Sequence, residues 1–312
     1  MVTIKQMRYF DALAQTRHFG RAAQLVHVSQ PALSAQIMEL EAALGTKLVE
    51  RSRSRILLTH EGEALLPRMQ HILAEVADLE QASQHKHGPL SGTARIGAIP
   101  TVAPYLVPRL VPYLRAAYPR IEIELREAIT DKLLLELEEG RLDAVVAALP
   151  VAREGLSVRP LLKDRFFMAM ADTSRDVLTS PLTGAEIDPG RLLLLEEGHC
   201  LRNQALDVCS AARPNNVINI GATSMTTLLQ MVTHDLGMTL VPEMALQAET
   251  VNHRLRVVPF APPEPSREIG LIWRRSNPHI ADIDALAEAI VATTPRVTTE
   301  TQEPIAQRGA SR

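Results

Sequence analysis

Two cysteines, Cys200 and Cys209, stand nine residues apart in Glu197-Gly198-His199-Cys200-Leu201-Arg202-Asn203-Gln204-Ala205-Leu206 and the residues that follow. Cys200 comes directly after a predicted strand and opens a predicted helix. A helix N-terminus and a cationic neighbour such as Arg202 favour the thiolate, the species that peroxide attacks. The product is a sulfenic acid, which a second thiol can condense with, and Cys209 is placed to do so. His199 is a candidate hydrogen-bonding partner. The spacing lacks the paired Cys and His of a zinc site, so no metal and no cofactor are expected. The bland alternative is a pair of inert, buried thiols, and residue types alone leave it open.

Spacing also bears on mechanism. Nine helical steps of about 1.5 Å separate the two Cα atoms by roughly 13 Å, whereas a disulfide needs them within about 7 Å. A helix over this segment and a disulfide across it therefore exclude each other. The pair would act as a bistable element that oxidation biases.

The elements that hold this segment read as α/β. Expected strands are Ala94–Ile99, Ile121–Glu127, Asp143–Leu149, Phe166–Ala171, Leu192–Glu196, Val217–Gly221, Met238–Pro242 and Glu268–Arg274. Helices are expected at Pro104–Tyr118, Asp131–Arg141, Cys200–Ala212, Ser224–Leu236 and Ala281–Thr293. The alternation predicts parallel sheets in two doubly wound lobes. Ligands in such folds sit at the carboxyl ends of strands. Thr101 and Thr130 each fall between a strand and a helix, where a hydroxyl serves either a site or a helix cap.

The N-terminal 59 residues differ in charge from the rest. They carry eight Lys/Arg against four acids, a net +4, within a chain of net −3, so the remainder is −7. Such asymmetry suggests nucleic acid at one end. Ile4, Met7, Phe10 and Leu13 mark a first helix, and Ala22, Ala23, Leu25 and Val26 pack a short second one. Ser29 and Pro31 start a third, with Leu33, Ile37, Leu40 and Leu44 on its inner face and Gly45 at its stop. Its outer face offers Gln30, Pro31, Ser34, Ala35 and Met38 to a DNA groove. Lys47 to Leu58 alternates basic and apolar residues as a β-wing does, with Arg51, Arg53 and Arg55 for phosphate or the minor groove.

Residues 60–86 follow as a helix in which Leu65, Met69, Ile72, Val76 and Leu79 space a heptad seam for a second chain, with Pro67 as a blemish. His85-Lys86-His87-Gly88-Pro89 reads as a solvated hinge. The expected organisation is a DNA-binding module over 1–59, a dimerisation helix and hinge over 60–91, a two-lobed regulatory domain over 92–295 and a disordered tail over 296–312. No apolar run is long enough for a membrane helix and no leader is evident, so a cytoplasmic, nucleoid-associated protein is expected.

The segment FGRAAQLVHVSQPALSAQIMELEAALGTKLVERS resembles the N-terminal domain of LysR-type transcriptional regulators. Ala22, Ala23, Val28 to Ser34, Ile37, Leu40, Glu41, Leu44, Gly45 and Leu48 carry the likeness. The resemblance implies a winged helix-turn-helix, a linker helix, a periplasmic-binding-protein-like effector domain and a homotetramer, a dimer of dimers, on promoter DNA. GHCLRNQAL with Cys209, Ile99-Pro100-Thr101-Val102, Ala128–Thr130 and Arg267 resemble the peroxide-sensing branch of that family. This implies hydrogen peroxide as effector, Cys200 as the reactive and Cys209 as the resolving thiol, and a pocket of Thr101, Thr130, His199 and Arg267. RNA polymerase and a resetting reductant such as glutaredoxin or thioredoxin are the partners it implies, and no enzymatic turnover. The chain departs from that branch at Asn203, where Asp can stand. Two other readings compete: a LysR-type regulator answering to a small co-inducer, with incidental cysteines, and a thiol peroxidase fused to a DNA-binding domain. The latter lacks a second redox motif such as Cys-x-x-Cys for recycling.

Overall fold

The computed structural model describes residues 1–51, 56–82, 88–174, 178, 180–209, 218–250 and 254–294. Helix α1 (Ile4–Thr16) opens on a reciprocal cap: Thr3 Oγ1 accepts from the Gln6 amide, and the Gln6 side chain accepts from the Thr3 amide. Helix α2 (Phe19–Leu25) and helix α3 (Gln30–Leu44) follow. Ser29 caps α3 through the Ala32 amide, and Gly45, at φ 70, ends it in the left-handed conformation that glycine adopts without strain. Phe10, Leu13, Leu33, Ile37, Leu40 and Leu48 are fully buried between these helices. Each such side chain is worth about 1.5–3 kcal/mol relative to exposure. Leu25 was expected in this core but is exposed, because the short α2 turns only Ala22 and Ala23 fully inward.

Strands β1 (Val49–Arg51) and β2 (Ile56–Leu58) pair antiparallel as the wing. Arg53 and Arg55 lie outside the described residues. A buried carboxylate fastens the wing to the end of α3. Glu41 accepts from the Leu48 amide at 2.9 Å, the Val49 amide at 3.3 Å and Lys47 Nζ at 2.9 Å. Burial works to raise its pKa, but Lys47 and the two amides outweigh it and hold Glu41 below the usual carboxylate range. Its stabilising contribution is thus complete at neutral pH and is lost as pH falls through that lowered value. Glu41→Ala strands two buried N–H groups and is expected to cost about 2–4 kcal/mol, measured by urea unfolding of the variant. An unchanged midpoint would remove Glu41 from the wing's support.

Helix α4 (His60–Ala82) runs through Pro67. Its expected seam is divided. Met69 is buried in the core of the N-terminal module, with Leu65 and Leu66 packed beside it, while Ile72 and Leu79 are exposed. Gln70 Nε2 donates to Asp11 Oδ1 at 2.7 Å and fixes α4 against α1. The hinge residues His85, Lys86 and His87 lie outside the described residues, as does the 296–312 tail.

Strand β3 (Gly92–Ala98), helix α5 (Ala103–Ala117), strand β4 (Ile121–Glu127), helix α6 (Thr130–Glu138) and strand β5 (Ala144–Leu149) form the first lobe. Here β3 is parallel to β4 and β5, with α5 and α6 as the crossover connections that parallel strands need. The long strand β6 (Leu156–Ala171) leads to the second lobe. That lobe contains β7 (Leu193–Leu195), α7 (Cys200–Val208), β8 (Ile218–Ala222), α8 (Met225–Thr233), β9 (Thr239–Pro242), α9 (Glu243–Thr250) and β10 (Leu255–Pro259). Strand β11 (Ser266–Arg274) returns, and α10 (Ile280–Thr293) closes against α5.

The expectation of parallel sheets is only partly met. The order β10-β6-β11-β5-β3-β4 is mixed: β11 is antiparallel to β5 and β6, and β9 and β10 are antiparallel to β6. The separate β7–β8 pair is parallel. The cause is that the long β6 spans both lobes and β11 returns antiparallel between it and β5. The first half of β6 pairs with β11 and its second half with β9 and β10. Only Phe166–Ala171 was expected as strand, because Pro160 and the run Lys163-Asp164-Arg165 interrupt the apolar pattern. Pairing with β11 overrides that local signal.

Candidate functional site

Three strand ends carry the expected site residues. The end of β3 delivers Thr101, the end of β4 delivers Thr130 and the end of β7 delivers His199 and Cys200. Thr101 is 2% exposed and Arg267, at the start of β11, is 3% exposed. Arg267 Nη1 donates to Thr101 Oγ1 at 2.7 Å and Nη2 to the Thr101 carbonyl at 3.0 Å, while Nε donates to Asp164 Oδ2 at 2.9 Å. The other Asp164 oxygen accepts the Met244 amide at 3.0 Å, and the Phe166 ring lies under the guanidinium, 5.9 Å away. Burial pushes Asp164 above the ordinary carboxylate range, against the opposing pull of Arg267 and the Met244 amide. The pair is therefore a dry one that depends on its complete set of bonds.

The Cys200 loop faces the Thr130 turn. Gly198 adopts φ 94, and a Cβ there would stand 3.0 Å from Ile129 Cδ1. A side chain at 198 is thus disfavoured both by backbone and by space. Thr130 Oγ1 is buried without a hydrogen-bond partner. Among the described residues no hydrogen bond joins Cys200, His199 or Thr130 to the Thr101–Arg267 clamp. Thr101 and Arg267 are in contact, and Thr130 meets the cysteine loop through Ile129 and Gly198.

His199 is the N-cap residue of α7 and is 8% exposed. Burial lowers its pKa below the ordinary value, with Glu196 opposing, so the imidazole is neutral at pH 7. Arg202 is less available to the thiol than the sequence suggested, since its Nη1 donates back to the Leu195 carbonyl at 3.0 Å. Cys200 is half-buried at the first position of α7 and Cys209 is buried at its C-cap, both as free thiols. Cys209 is buried in the regulatory domain's core, and burial pushes its pKa up to about 11. It is accordingly a neutral thiol in this conformation. The helix expected to reach Ala212 stops at Val208, and residues 210–217 lie outside the described set.

In the DNA-binding module, Gln30, Pro31 and Met38 are exposed and Ser34 and Ala35 half-buried, opposite Leu33, Ile37 and Leu40. This is the outward face of α3. Arg51 ends β1 at the base of the wing. The residues missed in the sequence are Asp164 and Met244. Nothing local marks Asp164, whose role exists only once β6 lies beside β11.

The comparisons agree with this architecture. The family described as bacterial regulatory helix-turn-helix protein, lysR family, matches residues 4–63, and the LysR substrate binding domain family matches residues 87–295. The chain belongs to the LysR family of bacterial regulators. Within that family it falls among OxyR proteins. The DNA-binding transcriptional dual regulator OxyR of Escherichia coli (strain K12) is 38% identical over 291 residues, covering 93% of this chain and 95% of that protein. A full-length cysteine-to-aspartate OxyR from Pseudomonas aeruginosa superposes with a TM-score of 0.79 at 32% identity, over 97% of this chain and 99% of that one. A cysteine-to-serine variant of Corynebacterium glutamicum OxyR, H2O2-bound, gives 0.62 at 32% identity, over 93% and 94%. Among the described residues no helix is long and apolar enough to cross a membrane.

Proposed function

We propose that this chain is a DNA-binding transcription regulator that senses hydrogen peroxide by oxidation of Cys200 and formation of a reversible Cys200–Cys209 disulfide, which a thiol reductant resets. The observation that carries the reading is a cysteine at each end of α7, one half-exposed at the helix N-terminus and one buried. Peroxide enters beside Thr101, Thr130 and His199, with Arg267 holding Thr101 in place. The Cys200 thiolate attacks one peroxide oxygen, the O–O bond breaks, and the leaving hydroxide takes a proton to become water. Cys209 then attacks the sulfenic sulfur, a second water leaves, and two thiols and one peroxide have become one disulfide and two waters. Cys209 cannot perform this step as a buried neutral thiol roughly 13 Å away along α7. The helix must open first, and that opening is the signal. Outward residues Gln30, Ser34 and Met38 of α3 read the promoter, with Arg51, Arg53 and Arg55 on its backbone. The exposed Ile72 and Leu79 of α4 face a second copy in a tetramer built of dimers.

Titration of the full-length protein with hydrogen peroxide, followed by peptide mass spectrometry, tests the reading. The expected result is a Cys200–Cys209 disulfide at about one equivalent, with an altered footprint on DNA upstream of its targets. Thiols that stay reduced while the footprint answers only to a metabolite would place the chain among co-inducer-responsive LysR regulators instead.

A further inference from the structure

Glu249, in the last turns of α9, is 8% exposed. Its Oε1 accepts the Tyr105 hydroxyl at 2.9 Å and the Thr226 hydroxyl at 3.4 Å. One carboxylate thus joins α5 of the first lobe to α8 and α9 of the second. One turn further along α5, Arg109 Nη2 donates to Gln247 Oε1 at 2.7 Å and strengthens the same seam. Tyr105 is itself 6% exposed. Burial first and the Glu249 charge second push its phenol far above the ordinary range, so it serves as an O–H donor. A buried carboxylate held by hydroxyls is costly once those bonds are lost.

Both arms of this node lead to the redox site. Tyr105 lies one helical turn beyond Thr101, the residue that Arg267 grips. Thr226 lies in the first turn of α8, directly after β8. Strand β8 pairs with β7, whose end carries His199 and Cys200, and β8 begins nine residues after Cys209. The cysteine segment is therefore suspended between two paired strands. Opening α7 draws Cys209 out of the core that buries it, and β7, from whose end α7 starts, is paired with β8, which leads into α8.

We propose that Glu249 couples the cysteine segment to the lobe seam, its bonds to Tyr105 and Thr226 favouring the dithiol arrangement over the disulfide. The inference rests on the peroxide-sensing reading above. By linkage, an interaction present in one state and weakened in the other shifts the equilibrium between them by the same factor when it is removed. The relevant equilibrium is exchange with glutathione. The two protein thiols and one oxidised glutathione give the protein disulfide and two reduced glutathiones, so two electrons and two protons pass to glutathione.

Full-length wild type and the variants Tyr105→Phe, Thr226→Val and Glu249→Gln are equilibrated in glutathione buffers, and the disulfide fraction is read by mass spectrometry after alkylation. Tyr105→Phe is expected to shift the equilibrium about tenfold toward the disulfide, or ~30 mV more negative. Thr226→Val should shift it in the same direction by less, as its bond is longer. Glu249→Gln keeps an acceptor oxygen and should stay within about threefold of wild type. Tyr105→Phe should also show part of the oxidised footprint in reductant. If Tyr105→Phe lowers the unfolding midpoint but leaves the glutathione equilibrium unmoved, the node is structural packing alone and the proposal is overturned. If the wild type itself forms no Cys200–Cys209 disulfide, the peroxide-sensing reading has failed, and this inference falls with it.

Discussion

Cys200→Ser should abolish the response to peroxide altogether. A serine hydroxyl is neither oxidised by peroxide nor ionised at neutral pH, and no second thiol occupies the N-terminus of α7. The footprint of the variant should be identical with and without peroxide and should match that of the reduced wild type. Cys209→Ser should differ in kind. Cys200 remains at the helix start and still reaches sulfenic acid, but with no partner to condense with it goes on to sulfinic and sulfonic acid. Its response should be transient and its mass gain irreversible by thiol reductants. If both variants behaved alike, the division between a reactive and a resolving thiol would be wrong. The buried state of Cys209, with its pKa pushed up to about 11, already separates the two chemically.

Arg267→Met should have the largest effect on stability. It removes the cation paired with Asp164 and leaves the Asp164 carboxylate buried at 2% exposure. Breaking one side of such a pair costs about 3–5 kcal/mol. Replacing both sides by apolar residues costs much less, because no stranded charge is left. The double variant Asp164→Leu/Arg267→Met should therefore regain most of the unfolding midpoint. It should not regain the peroxide response, since Thr101 loses both of its bonds from Arg267. Thermal unfolding and the rate of Cys200 oxidation are the two measurements. Recovery of both in the double variant would show that the clamp holds the fold and has no part in the chemistry.

The sequence conveyed the DNA-binding module well, because its signals are local. Ser29, Pro31 and Gly45 mark the limits of α3, and Leu33, Ile37 and Leu40 recur at helical spacing on one face. The cysteine segment was legible for the same reason: both thiols lie on a single helix, and its start falls at Cys200 as expected. What could not be read depends on pairing between distant residues. The clamp joins Arg267 to Asp164 and Thr101, more than a hundred residues apart in each case. The mixed sheet depends on β6 and β11, whose register is set by each other and not by local alternation. Strand β10 and helix α9, which carries Glu249, gave no expectation at all. Leu25 looked like core by residue type, yet a helix as short as α2 has only one face to bury. The 4-3-4-3 spacing of α4 does not mark one face alone: Met69 serves the module's own core, while Ile72 and Leu79 are exposed. Such a division is invisible to spacing alone.

Peptide-level hydrogen exchange across Leu201–Val208, before and after one equivalent of peroxide, tests the central claim most directly. In the reduced protein α7 is a hydrogen-bonded helix, with the Cys209 amide donating to the Ala205 carbonyl at 3.1 Å. Disulfide formation must bring Cα atoms from roughly 13 Å to within about 7 Å, so these amides lose their partners. The expected result is markedly faster exchange over Leu201–Val208 in the oxidised wild type and little change in Cys209→Ser treated alike. A Cys200–Cys209 disulfide that forms with no change in exchange over this helix would contradict the account.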